Sequence, residues 1–250
     1  MQRRSGTKGT LVRADSNPSL PADTEDMKKS FWTTLTFSLG YLGLALACLV
    51  RWGSPDPWLR VDFFSGGYLA LRFLGSIHSL ISSRGVFHSR PVMREWWALD
   101  SDPAGPKWVM VLMVADLTVF LDYGHWRVIA KLEQPLLQGI GLGLYVAVAI
   151  WQTWTDAHLA RYFNQQSPEA VPMDRGPYRY VRHPRYSAAI VAKVAFALAL
   201  ASVLGWVLAA AWAILLLRKM AVEEVHLRTV FGPRYETYSR RTAKVLPGIY

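Results

Sequence analysis

Apolar residues lie in long runs separated by short basic segments. Phe31 to Val50 is twenty residues without a charge, with Trp32 at one end and Trp52 just past the other. That length and aromatic bracketing predict a helix crossing a bilayer. Pro135 to Trp154 is also uncharged and predicts a second crossing. Val61 to Ile81 has the right length but carries Arg72 and His78. Lys107 to Trp126 has Asp116 at its centre, although Trp108 and Trp126 frame it. From Ser187 to Leu217 only Lys193 is charged. As one helix this run would measure roughly 46 Å, against a hydrocarbon core of about 30 Å. Two tightly paired helices turning near Ser202 to Trp206 are therefore expected.

The polar segments alternate in charge. Lys and Arg are dense in the tail, in 82–107, in 155–185 and after Leu217, and sparse or absent in 51–60, 122–134 and the turn near Gly205. The positive-inside rule then predicts an all-α, polytopic bundle of five to six transmembrane helices with both termini cytoplasmic. Residues 1–29 are polar and aperiodic and read as a disordered tail. A transmembrane region over 30–134 and a second membrane unit over 135–250 follow it. No internal repeat is visible.

Composition agrees: 52% of the 250 residues are hydrophobic and 11 are Trp, more than an ordinary soluble domain carries. The formal charge of +10 is spread between apolar runs rather than gathered on one face, so nucleic acid is not an expected partner. Membrane lipids are. Cys48 is the only cysteine, leaving no disulfide framework or Cys-based zinc site. His78, His88, His125, His158 and His226 show no zinc-like spacing, so no metal is expected.

The densest polar chemistry, Asp174-Arg-Gly-Pro-Tyr-Arg-Tyr-Val-Arg-His-Pro-Arg-Tyr186, stands directly against the longest apolar run. Gly176 and Pro177 force a turn, and Pro184 pushes His183 out of helical geometry. Basic and aromatic groups at a helix N-terminus suit an anion or a nucleotide. A basic anchor for anionic head groups is the competing reading. Pairing the two helices brings His183 and Tyr186 near Glu223 and Glu224. Carboxylates beside hydrocarbon are costly unless they hold something cationic. Pairing with Arg218, Lys219 or Arg228 at helical spacing is the alternative.

The order of 176–186, an apolar hairpin, Glu223-Glu224, Phe231-Gly232, Tyr235, Tyr238 and Pro247 resembles isoprenylcysteine carboxyl methyltransferases and their relatives, over about residues 140–250. Trp154 to Phe163 resembles the stretch preceding the loop in that family. Ala188 departs from it, since relatives often carry glycine there. The resemblance implies an S-adenosylmethionine site roofed by the 176–186 loop and the C-terminal segment, with a lipophilic acceptor reaching it from the bilayer. It implies that His183, Tyr186 and Glu224 contact the cofactor, and that Glu223 and Arg182 lie near its amino-acid end or the acceptor as catalytic groups. Physically, Arg182 suits a carboxylate, and the faces of Tyr178 or Tyr186 suit the adenine or the sulfonium. Gly139-Ile-Gly-Leu-Gly143 resembles the glycine motif of phosphatidylethanolamine N-methyltransferases, which would put Gly141 and Gly143 at the cofactor. Inside a spanning helix such spacing otherwise means close helix packing.

These features imply a membrane methyltransferase, O-methyl transfer being favoured over N-methyl transfer. The acceptor is left open among a prenylated cysteine, a phospholipid amine and other lipophiles. A membrane reductase using NADPH, as in sterol reductases, and a non-catalytic lipid-binding scaffold are the competing functions. Arg72 and Asp116 are expected to pair with each other or to line a polar cavity.

Overall fold

The computed structural model describes residues 24–50, 61–86, 105–128, 134–164 and 172–248. It contains α1 (Thr24–Leu49), α2 (Phe63–Val86), α3 (Gly105–Ala115), α4 (Leu117–Leu121), α5 (Pro135–Asn164), α6 (Pro184–Ala199), α7 (Val203–Phe231) and α8 (Pro233–Ser239). A π-helical turn follows α4 over Asp122–Trp126, and a 3-10 turn spans Gly176–Arg179. Among the described residues there is no strand, only one isolated parallel bridge between Val181 and Ala243. Residues 1–23 of the expected tail lie outside the described residues. Helix α1 begins at Thr24, so residues 24–29 are helical, and they carry Glu25, Asp26, Lys28 and Lys29.

Two helices, Pro135–Leu159 within α5 and Val203–Phe231, are long and apolar enough to cross a membrane, and Leu35–Leu49 of α1 is a shorter apolar helix. Their outward residues remain apolar, Leu136, Ile150, Val207 and Ile214 each being more than half exposed. Such a surface suits acyl chains rather than water.

Backbone proximity sets the packing of α5 on α6. A Cβ placed on Gly141 would sit 2.4 Å from the Ala199 nitrogen and 2.9 Å from the Ala195 carbonyl oxygen. Only glycine permits that approach. Beside it Tyr68 and Phe196 stack with ring centroids 4.6 Å apart, and Tyr145 and Phe120 close on Tyr68 at 5.0 and 6.1 Å. These rings join α2, α4, α5 and α6 into one core.

The turn expected at Ser202 to Trp206 falls slightly earlier, at Leu200 to Ser202. Ala201 takes a positive φ of 47°, and the Ser202 hydroxyl caps α7 by accepting from the Gly205 amide at 3.1 Å. The same hydroxyl donates to the buried Asp122, so the turn is tied to the π-helical segment. Asp62 caps α2, its Oδ1 accepting from the amides of Phe64 and Ser65, while its other oxygen accepts from the Tyr123 hydroxyl.

The stretch 107–126, expected as one crossing, is broken at Asp116. Its carboxylate turns away to accept from Lys193 of α6 and from the Trp212 indole of α7, the latter at 3.3 Å. Asp116 therefore pairs with Lys193 and not with Arg72, whose guanidinium lies 4.6 Å over the Tyr41 ring. Asp116 is 1% exposed, so losing its cation would strand a buried charge. Lys193→Met is expected to destabilise the protein by about 3–5 kcal/mol. Lys193→Met combined with Asp116→Asn should recover most of that loss, because no lone charge remains. Thermal unfolding in detergent checks this, and equal losses in the single and double variants would show that the pair contributes nothing as a pair.

Candidate active site

The loop between α5 and α6 is shaped by two residues. Gly176 sits at φ +59°, and a Cβ there would come within 2.4 Å of the His158 ring. Any other residue would meet both an unfavourable backbone and a clash. His158 is itself fixed, its Nδ1 donating to the Trp154 carbonyl at 2.9 Å. Further along, Pro184 opens α6 and keeps His183 out of helical geometry, at φ −121°, ψ 59°. The Pro184 carbonyl accepts from the Trp151 indole at 3.2 Å, which binds the start of α6 to α5.

The C-terminal segment zips onto this loop. The Arg182 amide donates to the Ala243 carbonyl at 2.8 Å, the Ala243 amide to the Tyr180 carbonyl at 3.2 Å, and the His183 amide to the Lys244 carbonyl at 3.2 Å. Ser187 Oγ reaches the Val245 carbonyl at 2.6 Å, and the Tyr238 hydroxyl the Tyr178 carbonyl at 2.7 Å. Gly232, at φ +55°, lets the chain leave α7 and enter α8 at Pro233.

Glu224 stands where these pieces meet. Its Oε1 accepts from Arg182 Nε at 3.0 Å and lies 3.2 Å from His183 Nε2, and its Oε2 lies 3.8 Å from Lys244 Nζ and 3.9 Å from Arg228 Nη2. The Arg182 guanidinium also donates to the carbonyls of Ser239, at 2.7 Å, and Thr242. Arg182 and Glu224, expected at the acceptor and at the cofactor, thus face each other. Helical-spacing pairing explains only the long Arg228 contact.

Glu223 points elsewhere. Its Oε2 is buried without a hydrogen-bond partner, as is the Tyr235 hydroxyl; His183 Nδ1 lies 3.8 Å from that oxygen. Both residues line a cavity of about 520 Å³ between α5, the 172–186 loop, α6, α7 and α8. Tyr178, Arg182, His183 and Tyr186 line it too. Its lining also mixes the apolar Leu159, Ala189, Leu216, Val222 and Leu227 with the polar Arg185, Lys219 and His226. Burial pushes the phenols of Tyr178, Tyr235 and Tyr238 above their ordinary value, with the charges of Glu224 and Glu223 adding to the shift at Tyr235. All three remain protonated at neutral pH and offer hydroxyls, not phenolates.

Six of the eight residues expected at the site therefore converge on one place. Gly141 and Gly143 do not line the cavity: Gly141 serves the contact of α5 with α6, and nothing lies within 4 Å of a Cβ placed on Gly143. Sequence reasoning passed over Gln152 and Asp156. Gln152 Nε2 donates to Asp156 at 3.1 Å, and Asp156 holds Arg185 Nε at 3.2 Å. The four-residue spacing of Gln152 and Asp156, with Leu159 three residues further along α5, carried the signal. Among the described residues no cluster suited to a metal ion occurs.

Residues 133–234 match the phospholipid methyltransferase family model. The matched segment takes in α5, the loop, both glutamates and the beginning of α8, and it agrees with the kinship read from the motifs. Together with the two long apolar helices it implies a membrane methyltransferase. No curated protein and no solved structure matches the chain.

Arg182→Lys keeps the charge but loses the planar fork that spans Glu224, Ser239 and Thr242. It should free the C-terminal segment, costing about 1.5–3 kcal/mol for each charge-assisted bond lost. Hydrogen exchange over residues 240–247 should rise in Arg182→Lys and stay near wild type in Arg185→Lys, whose side chain is 46% exposed. Equal protection in all three proteins would show that Arg182 does not hold the segment.

Proposed function

We propose that the protein is an integral membrane methyltransferase that takes its methyl group from S-adenosylmethionine and places it on a lipophilic acceptor. The observation that carries this reading is a cavity of about 520 Å³ whose lining joins apolar side chains to Glu223 and Tyr235, each of which has a buried polar atom without a hydrogen-bond partner. A carboxylate in such a lining fits a cation, and the donor carries both an ammonium and a sulfonium. The Tyr178 and Tyr186 rings, also on the wall, suit an adenine or a sulfonium. The donor supplies a methyl group already activated by its positive sulfur, so the site needs no metal to activate it.

The tasks left to the protein are orientation and exclusion of water. Glu223 and Tyr235 hold the polar donor, Arg182 and Glu224 keep the loop and the C-terminal segment closed over it, and the apolar side chains of the lining take the acceptor's hydrocarbon. In the transfer a sulfur–carbon bond breaks and an acceptor–carbon bond forms. A carboxylate acceptor gives up its charge in that step and requires no base, whereas an ammonium acceptor must first lose a proton. Arg182, Arg185 and Lys219 outnumber the one lining carboxylate, Glu223, although Arg182 and Arg185 also hold Glu224 and Asp156; this basic lining favours an acceptor that arrives with negative charge, and hence O-methyl transfer. An isoprenylcysteine-like carboxylate combines such a head with a lipid tail. Residues 135–250 form the catalytic unit in this reading, and the loop and both termini face the cytoplasm, following the distribution of Lys and Arg.

Calorimetric titration with S-adenosylhomocysteine and with NADPH tests the donor. Binding of the first and not the second is expected, and the reverse would make the protein a reductase. Glu223→Gln should weaken S-adenosylmethionine binding roughly ten- to a hundredfold, the loss of a charge-assisted contact at a partly exposed carboxylate. Unchanged affinity in the folded variant would remove Glu223 from the donor site. For topology, Tyr180→Cys in a Cys48→Ala background should resist an impermeant thiol reagent added to intact cells; ready labelling would reverse the orientation.

A further inference from the structure

A second cavity, of about 200 Å³, lies between α1, α2 and α3 and shares no lining residue with the larger one. Ser38, Tyr41, Arg72, Ser76 and Met113 are on its wall. Arg72 is the tenth residue of α2, in the interior of the helix. Among the described residues no carboxylate lies within ion-pair distance of its guanidinium. Asp116, the carboxylate of the neighbouring α3–α4 break, is occupied by Lys193 and Trp212, so those two charges cancel and the positive charge of Arg72 is left over. The Tyr41 ring face, 4.6 Å away, attracts the cation, but more weakly than a negative partner would. Ser76 turns its hydroxyl proton to the Arg72 carbonyl at 3.0 Å, and Arg72 itself borders the empty volume.

We propose that this cavity binds the anionic head, a carboxylate or a phosphate, of an acidic amphiphile. The volume suits such a head with its first methylenes and excludes a nucleotide-sized ligand. Phe37 lines the cavity while 56% exposed, so the cavity opens onto the outer face of α1. Leu39 and Leu74 beside it are 49% and 60% exposed and offer the tail an apolar path along the helices. The site stands on α1 to α3, largely outside the family-matched segment, and does not depend on the methyltransferase reading.

Native mass spectrometry of the full chain released from detergent tests this without any methyl donor. Oleate and dioleoyl phosphatidate should be retained by the wild type, while oleyl alcohol, which has the tail without the charge, and inorganic phosphate, which has the charge without the tail, should not. Arg72→Gln should weaken oleate binding tenfold or more. Ser38→Phe, which keeps Arg72 but fills the cavity, should do the same and decides the matter if Arg72→Gln fails to fold. Retention of oleyl alcohol as tight as that of oleate, or oleate affinity unchanged in Ser38→Phe, would overturn the proposal. Phosphate retained as well as oleate would replace the amphiphile by a free anion and overturn the lipid assignment.

Discussion

Everything at the loop end of the molecule depends on finding cations for one buried carboxylate, that of Glu224 on α7. With 8% of its side chain exposed, it would be costly alone beside hydrocarbon. Arg182 from the loop and Lys244 from the C-terminal segment supply the positive charge, and His183 Nε2 adds a contact at 3.2 Å. Meeting that demand draws two segments distant in sequence onto α7 and leaves the cavity between them. The neighbouring Glu223 is spared that duty and stands in the cavity lining, with one oxygen left without a hydrogen-bond partner. Two adjacent residues of one type thus divide the work: one holds the walls together and the other is part of the lining.

A similar economy governs charge along the rest of the chain. Asp116, at the junction of α3 and α4, extends its carboxylate to Lys193 and Trp212, and α3–α4 is thereby fastened to α6 and α7. The Asp122 carboxylate does the same for the turn before α7 through Ser202. Ionisable residues in apolar runs thus act as fasteners here, with Arg72 standing apart.

The sequence made the helices and their all-α character legible because long uncharged runs leave few alternatives. The loop was legible because Gly176, Pro177 and Pro184 dictate backbone shape locally, whatever surrounds them. Partner choice was not. Glu224 has cationic residues at helical spacing, yet its closest partner, Arg182, lies 42 residues away, a choice made by the packing of α6 against α7. Asp116 likewise pairs 77 residues along the chain. The glycines of α5 were ambiguous for a related reason: a bare backbone admits either a ligand or another helix, and only the position of Ala199 shows that at Gly141 it is the helix.

The zipper between the loop and residues 242–245 has a consequence for how the protein is made. Helices form from neighbouring residues and insert early, but the contact of Arg182 with Thr242 closes a span of 60 residues, and such distant contacts form late. The fastening of the loop to residues 242–245 is therefore expected late in folding, after α6 and α7 have paired. A chain stalled before that step would be inserted and helical, yet its 176–186 loop would still be unfastened.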